Sequence, residues 1–348
     1  MIPIERILLS RMKYIGDIVL TTPVIRATRE AFPQAYIAYL GEKSAVSLLE
    51  HNPCLDEIIP YDFSRWDVIE QPRMMLNLRR RKFDAVVDFF SNPRTALLTY
   101  ATGAPTRIGK KVKGRGGLYT IQIEDDGKQR TAIEFHYRYV EPLGVKPTHF
   151  RPEIFLTDDE RREAKIFLKW QDVSAEKPVI GLHPGATWPA KMWDWERFAD
   201  LADMLIAKLG CEVVVTQGPG DREVVEKISK RCVGSIKILP VLPLRQLAAV
   251  LSHLSAYVAN DNGTMHIAVA VGAKTIGIFG PGEEEIWFPY VSREIYPSND
   301  HRALRKDVSC HPCHLDFCNR SGDGYMECMK LLTVGEVLRD VQDLIQRG

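Results

Sequence analysis

Short runs of β-branched and aliphatic residues recur along this chain, and each is followed by a turn and a longer amphipathic stretch. In the first half the runs fall at residues 6–10, 36–40, 58–59 and 83–90. Helical patterns follow at 18–32, at 44–51, after Asn92 and Pro93, and at 134–143 and 158–170. In the second half strands are expected at 178–183, 211–216, 255–259 and 274–279, with helices at 195–209, 222–229, 244–251, 264–271 and 334–346. Such regular alternation predicts parallel sheets covered on both faces by helices. At 348 residues the chain is too long for one ordinary core. The expected fold class is therefore α/β, with two Rossmann-like, doubly wound domains at 1–172 and 173–348. The cleft between two such domains is a natural ligand site.

Several function classes are disfavoured at once. The net charge of +1 provides no global field for nucleic acid. No apolar run approaches the length of a membrane span. The N-terminal strand carries charges and lacks the apolar core of a signal peptide, so a cytoplasmic protein is expected. No G-x-G-x-x-G follows the first strand, which weakens a nicotinamide dehydrogenase. There is no G-x-x-x-x-G-K-[ST] for a Walker-type NTPase and no G-x-S-x-G for an α/β-hydrolase.

The chemistry concentrates in a few turns. Strand 255–259 runs into the polar turn 260–263 and a helix from Thr264, which Asp261 or Asn262 can cap. The open first turn of such a helix presents unpaired N–H groups at the positive end of its dipole, a ready site for phosphate. Any α/β domain holds several such turns, so this one alone leaves the structural reading open. Ligands of open sheets bind at the carboxyl ends of strands, which singles out Gly16 and Asp17 after the first strand. Asp17 can serve there as a general base, or can cap the helix beginning at Ile18. The basic, Gly-rich stretch 109–117, with Lys111, Lys113 and Arg115, reads either as a flap over an anionic substrate or as a solvated loop. Cys310, Cys313, Cys318 and Cys328 crowd into one segment. In a reducing compartment such clustering suggests metal rather than disulfides, and four thiolates can hold a tetrahedral structural zinc, with His311 or His314 as substitutes.

Four features in order carry a resemblance. They are Ile15, Gly16 and Asp17 with nearby Pro23; His183 to Ala186 with Lys191 and Trp193 downstream; Asp261 to His266 before a small-residue helix; and Ile278 to Pro281. Together, across most of the chain, this set resembles glycosyltransferase family nine, the lipopolysaccharide heptosyltransferases. The resemblance implies a GT-B architecture: an acceptor-binding N-terminal domain facing a nucleotide-sugar-binding C-terminal one. It implies inverting transfer from ADP-heptose to a lipid-linked, Kdo-type inner-core acceptor, with no cofactor required for catalysis. Family similarity puts the general base on Asp17. Lys191 and the N–H groups of Asn262, Gly263 and Thr264 are then expected to meet the leaving diphosphate. Asp261 suits capping or a sugar hydroxyl, His266 a phosphate contact or the orienting of Asp261, Thr187 a hydroxyl contact, and Asp221 or Glu223 the nucleoside. His183 and Trp193 read as structural. Lys111, Lys113 and Arg115 become acceptor-binding candidates, and weak peripheral contact with the inner membrane follows from a lipid-linked acceptor. Cysteine-rich tails occur in many members of the family, which adds a packing or redox role as the alternative to zinc. The rival readings are a family member using another nucleotide sugar or acceptor, and a non-catalytic nucleotide-sugar-binding protein.

Overall fold

The computed structural model describes residues 4–63, 69–174, 176–288 and 300–346. The chain divides into two compact units, Met1–Phe155 and Leu156–Gly348.

The first unit is built on a parallel sheet of six strands: β1 (Arg6–Arg11), β2 (Tyr36–Glu42), β3 (Glu57–Tyr61), β4 (Ala85–Asp88), β5 (Thr106–Lys110) and β6 (Ile121–Ile123). Their order is β3-β2-β1-β4-β5-β6. Ile7 pairs with Ile37 on one side and Ala85 on the other. Both faces of β1 are covered, so Ile7, Leu8 and Leu9 are at most 1% exposed. That is why the strand reads as a continuous apolar run rather than an alternating one.

Two local expectations change. The helix expected at 18–32 is two helices, Ile15–Val19 and Thr22–Ala31. Thr21 and Thr22 donate their hydroxyls back to the carbonyls of Ile18 and Val19 at 2.7 and 2.8 Å, which satisfies the end of the first helix. Pro23 then falls in the first turn of the second, where its missing N–H is harmless. The basic stretch at 109–117 is not wholly a loop, because Gly109 and Lys110 belong to β5. The Tyr119 ring packs against Gly109 so closely that a Cβ there would lie 2.3 Å from it. Glycine serves here as a packing residue, which its composition alone did not reveal.

Helix Ala132–Val140 opens on a reciprocal cap: Thr131 Oγ1 accepts from the Glu134 N–H at 3.2 Å, and Glu134 accepts from the Thr131 N–H at 2.8 Å. His136 on this helix is buried, with Nδ1 3.3 Å from the Leu20 carbonyl. Burial lowers its pKa from 6.5 to about 4, so the folded ring is neutral. The unfolded chain binds this proton first as pH falls. Stability is therefore lost between about pH 6.5 and about pH 4, by on the order of 3 kcal/mol from this group. Urea denaturation of wild type and His136→Phe, at about pH 7 and about pH 4.5, checks this. The fall in stability between the two conditions should be smaller in the variant.

The second unit repeats the plan with β7 (Val179–His183), β8 (Glu212–Val215), β9 (Ile236–Ile238), β10 (Ala256–Asn260), β11 (Thr275–Ile278) and β12 (His301–Leu304), in the order β12-β11-β10-β7-β8-β9. In both sheets the unit's first strand lies beside its fourth, β1 beside β4 and β7 beside β10. Connections run in opposite directions from that pair, which opens a crevice at the carboxyl ends of the strands. Trp193 is core, as expected. It is 1% exposed, and its indole N–H donates to the Leu332 carbonyl at 3.1 Å. The last helix, Val334–Gln346, buries Val337, Leu338, Val341 and Leu344 in the same core.

The boundary between the units precedes the break expected after residue 172. Helix Asp158–Trp170 belongs to the second unit. Arg245 grips Glu160 with two hydrogen bonds of 2.5 and 2.7 Å, and His253 Nε2 donates to the Arg161 carbonyl at 2.7 Å. These long-range contacts outweigh the helix's position in the sequence.

Candidate active site

In the first unit, β1 delivers Arg11 and the short helix after it delivers Asp17. Asp17 is 8% exposed. Its Oδ2 accepts from the Tyr14 N–H at 3.0 Å, and its Oδ1 is ion-paired with Arg11. Arg11 also donates to the Phe89 carbonyl at 2.8 Å, which ties the end of β1 to the end of β4. Asp17 is thus both the capping group and a carboxylate at the switch point. The capping expected at Ile18 acts one turn earlier, on the helix that begins at Ile15. A carboxylate has about four acceptor positions, so two partners do not exhaust it.

The basic residues behave differently from one another. Lys111 pairs at 2.6 Å with Glu124, both of them solvent-facing, and such pairs contribute little. Lys113 is exposed. Arg115 donates to the Ser91 carbonyl at 2.5 Å, which fastens this stretch to the turn after β4.

In the second unit, Lys191 ends a short 3-10 turn, Pro189–Lys191, in the connection after β7. Its Nζ lies 2.5 Å from Asp261 Oδ2 and 4.7 Å from the centre of the Trp188 ring. Asp261 immediately follows β10. Neighbouring asparagines stitch the two loops together: Asn260 donates to the Pro184 carbonyl at 2.7 Å, and Asn262 to the Gly185 carbonyl at 2.8 Å. Asn262 is the cap of helix Gly263–Ala270, accepting from the N–H groups of Thr264 and Met265 at 3.0 and 3.2 Å. The expected diphosphate contact through the Thr264 N–H is therefore corrected, because Asn262 already takes that donor. Gly282 closes over the pair: a Cβ there would lie 2.9 Å from Asp261 Oδ2 and 3.9 Å from Lys191 Nζ. Thr187 is exposed in the same loop, while His266 is buried within the helix.

A buried polar chain underlies this turn. Asp221 Oδ2 accepts from the Gly218 N–H at 2.7 Å and lies 3.5 Å from His183 Nε2. His183 Nδ1 meets the Thr216 hydroxyl at 2.9 Å, and Thr216 meets the Tyr257 hydroxyl at 2.9 Å. Tyr257 donates to Thr264 Oγ1 at 3.0 Å, and Thr264 donates to Asn262 Oδ1 at 2.8 Å. The chain thus joins the carboxyl ends of β8 and β7, through Tyr257 near the start of β10, to the helix cap. Burial lowers the His183 pKa against the opposing pull of Asp221, and burial raises that of the Tyr257 hydroxyl. Asp221, expected at the nucleoside, has its carboxylate turned to these internal partners. His183, Thr216 and Tyr257 had no assigned part in the site. The available signal was a polar residue at or near the ends of strands that prove to be adjacent, legible only once the strand order is known.

Gly185 is a sensitive point, since a Cβ there would lie 2.2 Å from the Asp221 carboxylate. Gly185→Ala should displace Asp221 and cost about 1–3 kcal/mol of stability. Thermal melting checks this, the expected result being a lower melting temperature.

The cysteine-rich segment folds against this same turn. His314 donates its N–H to the Pro281 carbonyl at 3.0 Å, His311 Nδ1 lies 3.0 Å from the Gly280 carbonyl, and the Ala190 N–H donates to the Asp316 carbonyl at 2.9 Å. All four cysteines are free thiols. Burial, then the proximity of Cys310, raises the Cys328 pKa. Cys318 Sγ accepts from the Met326 N–H at 3.3 Å, and Cys310 Sγ from Arg320 at 3.6 Å. Among the described residues, no group of three or more His, Cys, Asp or Glu side chains is placed to hold a metal ion. The expected zinc therefore gains no geometric support, and the segment's visible work is to buttress the loops around Lys191 and Gly282.

Comparison with known proteins fits these features. The family model for glycosyltransferase family 9 (heptosyltransferase) matches residues 72–313. The chain is 23% identical over 359 residues to lipopolysaccharide heptosyltransferase 2 of Escherichia coli strain K12, covering 98% of each. Among solved structures, a family 9 glycosyltransferase from Veillonella parvula superposes with a TM-score of 0.85 at 23% identity, over 99% of this chain and 98% of that one. The E. coli ADP-heptose lipopolysaccharide heptosyltransferase II superposes with a TM-score of 0.78 at 23% identity, over 98% and 99%. The α/β fold expected from the sequence is that of these GT-B enzymes. With its family match spanning well over half its length, the chain belongs to glycosyltransferase family 9, the heptosyltransferases, and is a glycosyltransferase.

Proposed function

We propose that this enzyme transfers heptose from ADP-heptose to an acidic, Kdo-bearing inner-core acceptor of lipopolysaccharide, with inversion and with Asp17 as general base. The observation that carries the reading is the convergence of Lys191 and the Asp261–Gly263 turn at the switch point of the second sheet. A cation beside the Gly263 N–H, at the positive end of a capped helix, suits a diphosphate that gains charge as it leaves. The names of the relatives support ADP-heptose and lipopolysaccharide as donor and acceptor.

In this reading the acceptor hydroxyl attacks the anomeric carbon from the face opposite the nucleotide. Its proton passes to Asp17, the new carbon–oxygen bond forms, and ADP departs with the electrons of the broken bond. Lys191 and the Gly263 N–H stabilise the departing charge, so no divalent ion is called for. Among the described residues no helix is long and apolar enough to cross a membrane. The reading places the enzyme in the cytoplasm, touching the inner membrane through its lipid-linked acceptor, with Lys111, Lys113 and Arg115 toward acidic groups.

The test is transfer from ADP-heptose to a Kdo-bearing core acceptor in the presence of EDTA, followed by mass spectrometry. The expected product is the acceptor plus one heptose. Tight ADP binding without transfer would favour another sugar or acceptor, and the absence of both would sink the reading.

A further inference from the structure

The outer surface of the first unit carries an apolar patch bordered by arginines. Helices Glu70–Arg80 and Pro93–Ala101 pack side by side on one face of the sheet. Leu78 and Leu98 are buried beneath them, in the cluster that holds Leu8, Leu40 and Ile59. The opposite side of each helix is left to solvent. Along the first, Ile69, Arg73, Leu76 and Arg80 recur at helical spacing, and all four are exposed. Along the second, Leu97 and Tyr100 do the same. Ile69, Leu76, Leu97 and Tyr100 are 40–58% exposed. Single exposed apolar residues are ordinary, but a group of large ones on two adjoining helices marks an interaction surface.

Charge decides what the patch can meet. Between residues 69 and 82 stand five cations, Arg73, Arg79, Arg80, Arg81 and Lys82, and one acid, Glu70. Arg81 is committed to Glu57, while the other four are exposed. Glu70 lies 4.0 Å from Arg73, in an exposed pair of the kind that contributes little. Arg107 adds a guanidinium 5.4 Å from the centre of the Tyr100 ring. A second copy of the chain, packed on this face by a two-fold axis, would set these cations against one another. An anionic bilayer accepts them: the apolar side chains enter the boundary of headgroups and acyl chains, and the long arginine stems carry their charges to the phosphates. Each helix follows a strand, β3 or β4, so both begin at the carboxyl edge of the sheet, the edge that carries Asp17.

We propose that this face docks the enzyme on an anionic lipid surface, with Leu76, Leu97 and Tyr100 entering the interface and Arg73, Arg79 and Arg80 meeting lipid phosphates. The contact belongs to the protein itself and needs no acceptor in the membrane. The choice of a bilayer as occupant rests on the reading of the acceptor as lipid-linked. Docked in this way, the first unit holds the Asp17 edge of its sheet at the surface where such an acceptor is anchored.

The experiment uses the full-length enzyme and two variants, Leu76→Gln/Leu97→Gln and Arg73→Gln/Arg80→Gln. Sedimentation with acceptor-free vesicles of phosphatidylethanolamine and phosphatidylglycerol measures docking, with phosphatidylcholine vesicles as the neutral control. Transfer from ADP-heptose is measured to a Kdo-bearing acceptor embedded in vesicles and to the same sugars freed of lipid. Wild type should bind the anionic vesicles, more weakly as salt rises, and should not bind the neutral ones. Each variant should lose about 10-fold or more in vesicle affinity and in kcat/KM for the embedded acceptor. Melting temperature and kcat/KM for the lipid-free acceptor should be unchanged. Vesicle binding that both variants lose, with no transfer by wild type to either acceptor, would uphold the surface while the proposed function fails. Transfer by wild type with no binding to acceptor-free vesicles, or with equal binding by the variants, would overturn the surface and leave the proposed function standing. Dimers of wild type that either variant abolishes would overturn it in favour of a second copy of the chain.

Discussion

Asp17→Asn is expected to lower transfer by about 10²- to 10⁴-fold, the usual contribution of a positioned general base. The substitution keeps size and one oxygen, so the Tyr14 N–H can still find its acceptor. It removes the charge that faces Arg11. Arg11 stays anchored by its bond to the Phe89 carbonyl, so the end of β1 keeps its place against β4. Donor affinity should be unchanged, because the proposed diphosphate contacts belong to the second unit. Single-turnover transfer by mass spectrometry, with ADP titration of the same preparation, separates the two effects. Transfer by the Asp17→Asn variant at the wild-type rate would remove Asp17 from the mechanism. A loss of ADP binding in parallel would point to a general failure of folding.

Lys191→Ala should damage both stability and transfer. Lys191 and Asp261 are 19% and 6% exposed at their side chains, which makes this a largely buried pair. Removing one partner of such a pair leaves an uncompensated charge and costs about 3–5 kcal/mol. The same change deletes the cation proposed to meet the leaving diphosphate. The double variant Lys191→Met/Asp261→Asn separates these roles, since it removes both charges while keeping side-chain volume. Its melting temperature should recover much of the loss, whereas its transfer rate should stay low. If transfer recovered together with stability, Lys191 would be a structural residue only.

The sequence by itself determined the architecture, because parallel strands buried on both faces must be nearly continuous apolar runs. Ile7 to Leu9 and Val213 to Val215 show this plainly. It also determined the candidate turns, since Asp17, Lys191 and Asp261 follow strand ends, where open sheets bind ligands. Strands β5, β6, β9 and β12 were not legible, being short or rich in glycine and charge. Only the tertiary structure decided that Lys191 and Asp261, seventy residues apart in sequence, form one ion pair. It likewise decided that Asn262 rather than Asp261 caps the helix, and that helix Asp158–Trp170 joins the second unit. The chain from Asp221 through His183, Thr216 and Tyr257 to Thr264 depends on β10, β7 and β8 being neighbours. Local sequence carries periodicity and capping preference. Strand order, and with it which distant side chains can share a hydrogen bond, arises only when the sheet assembles.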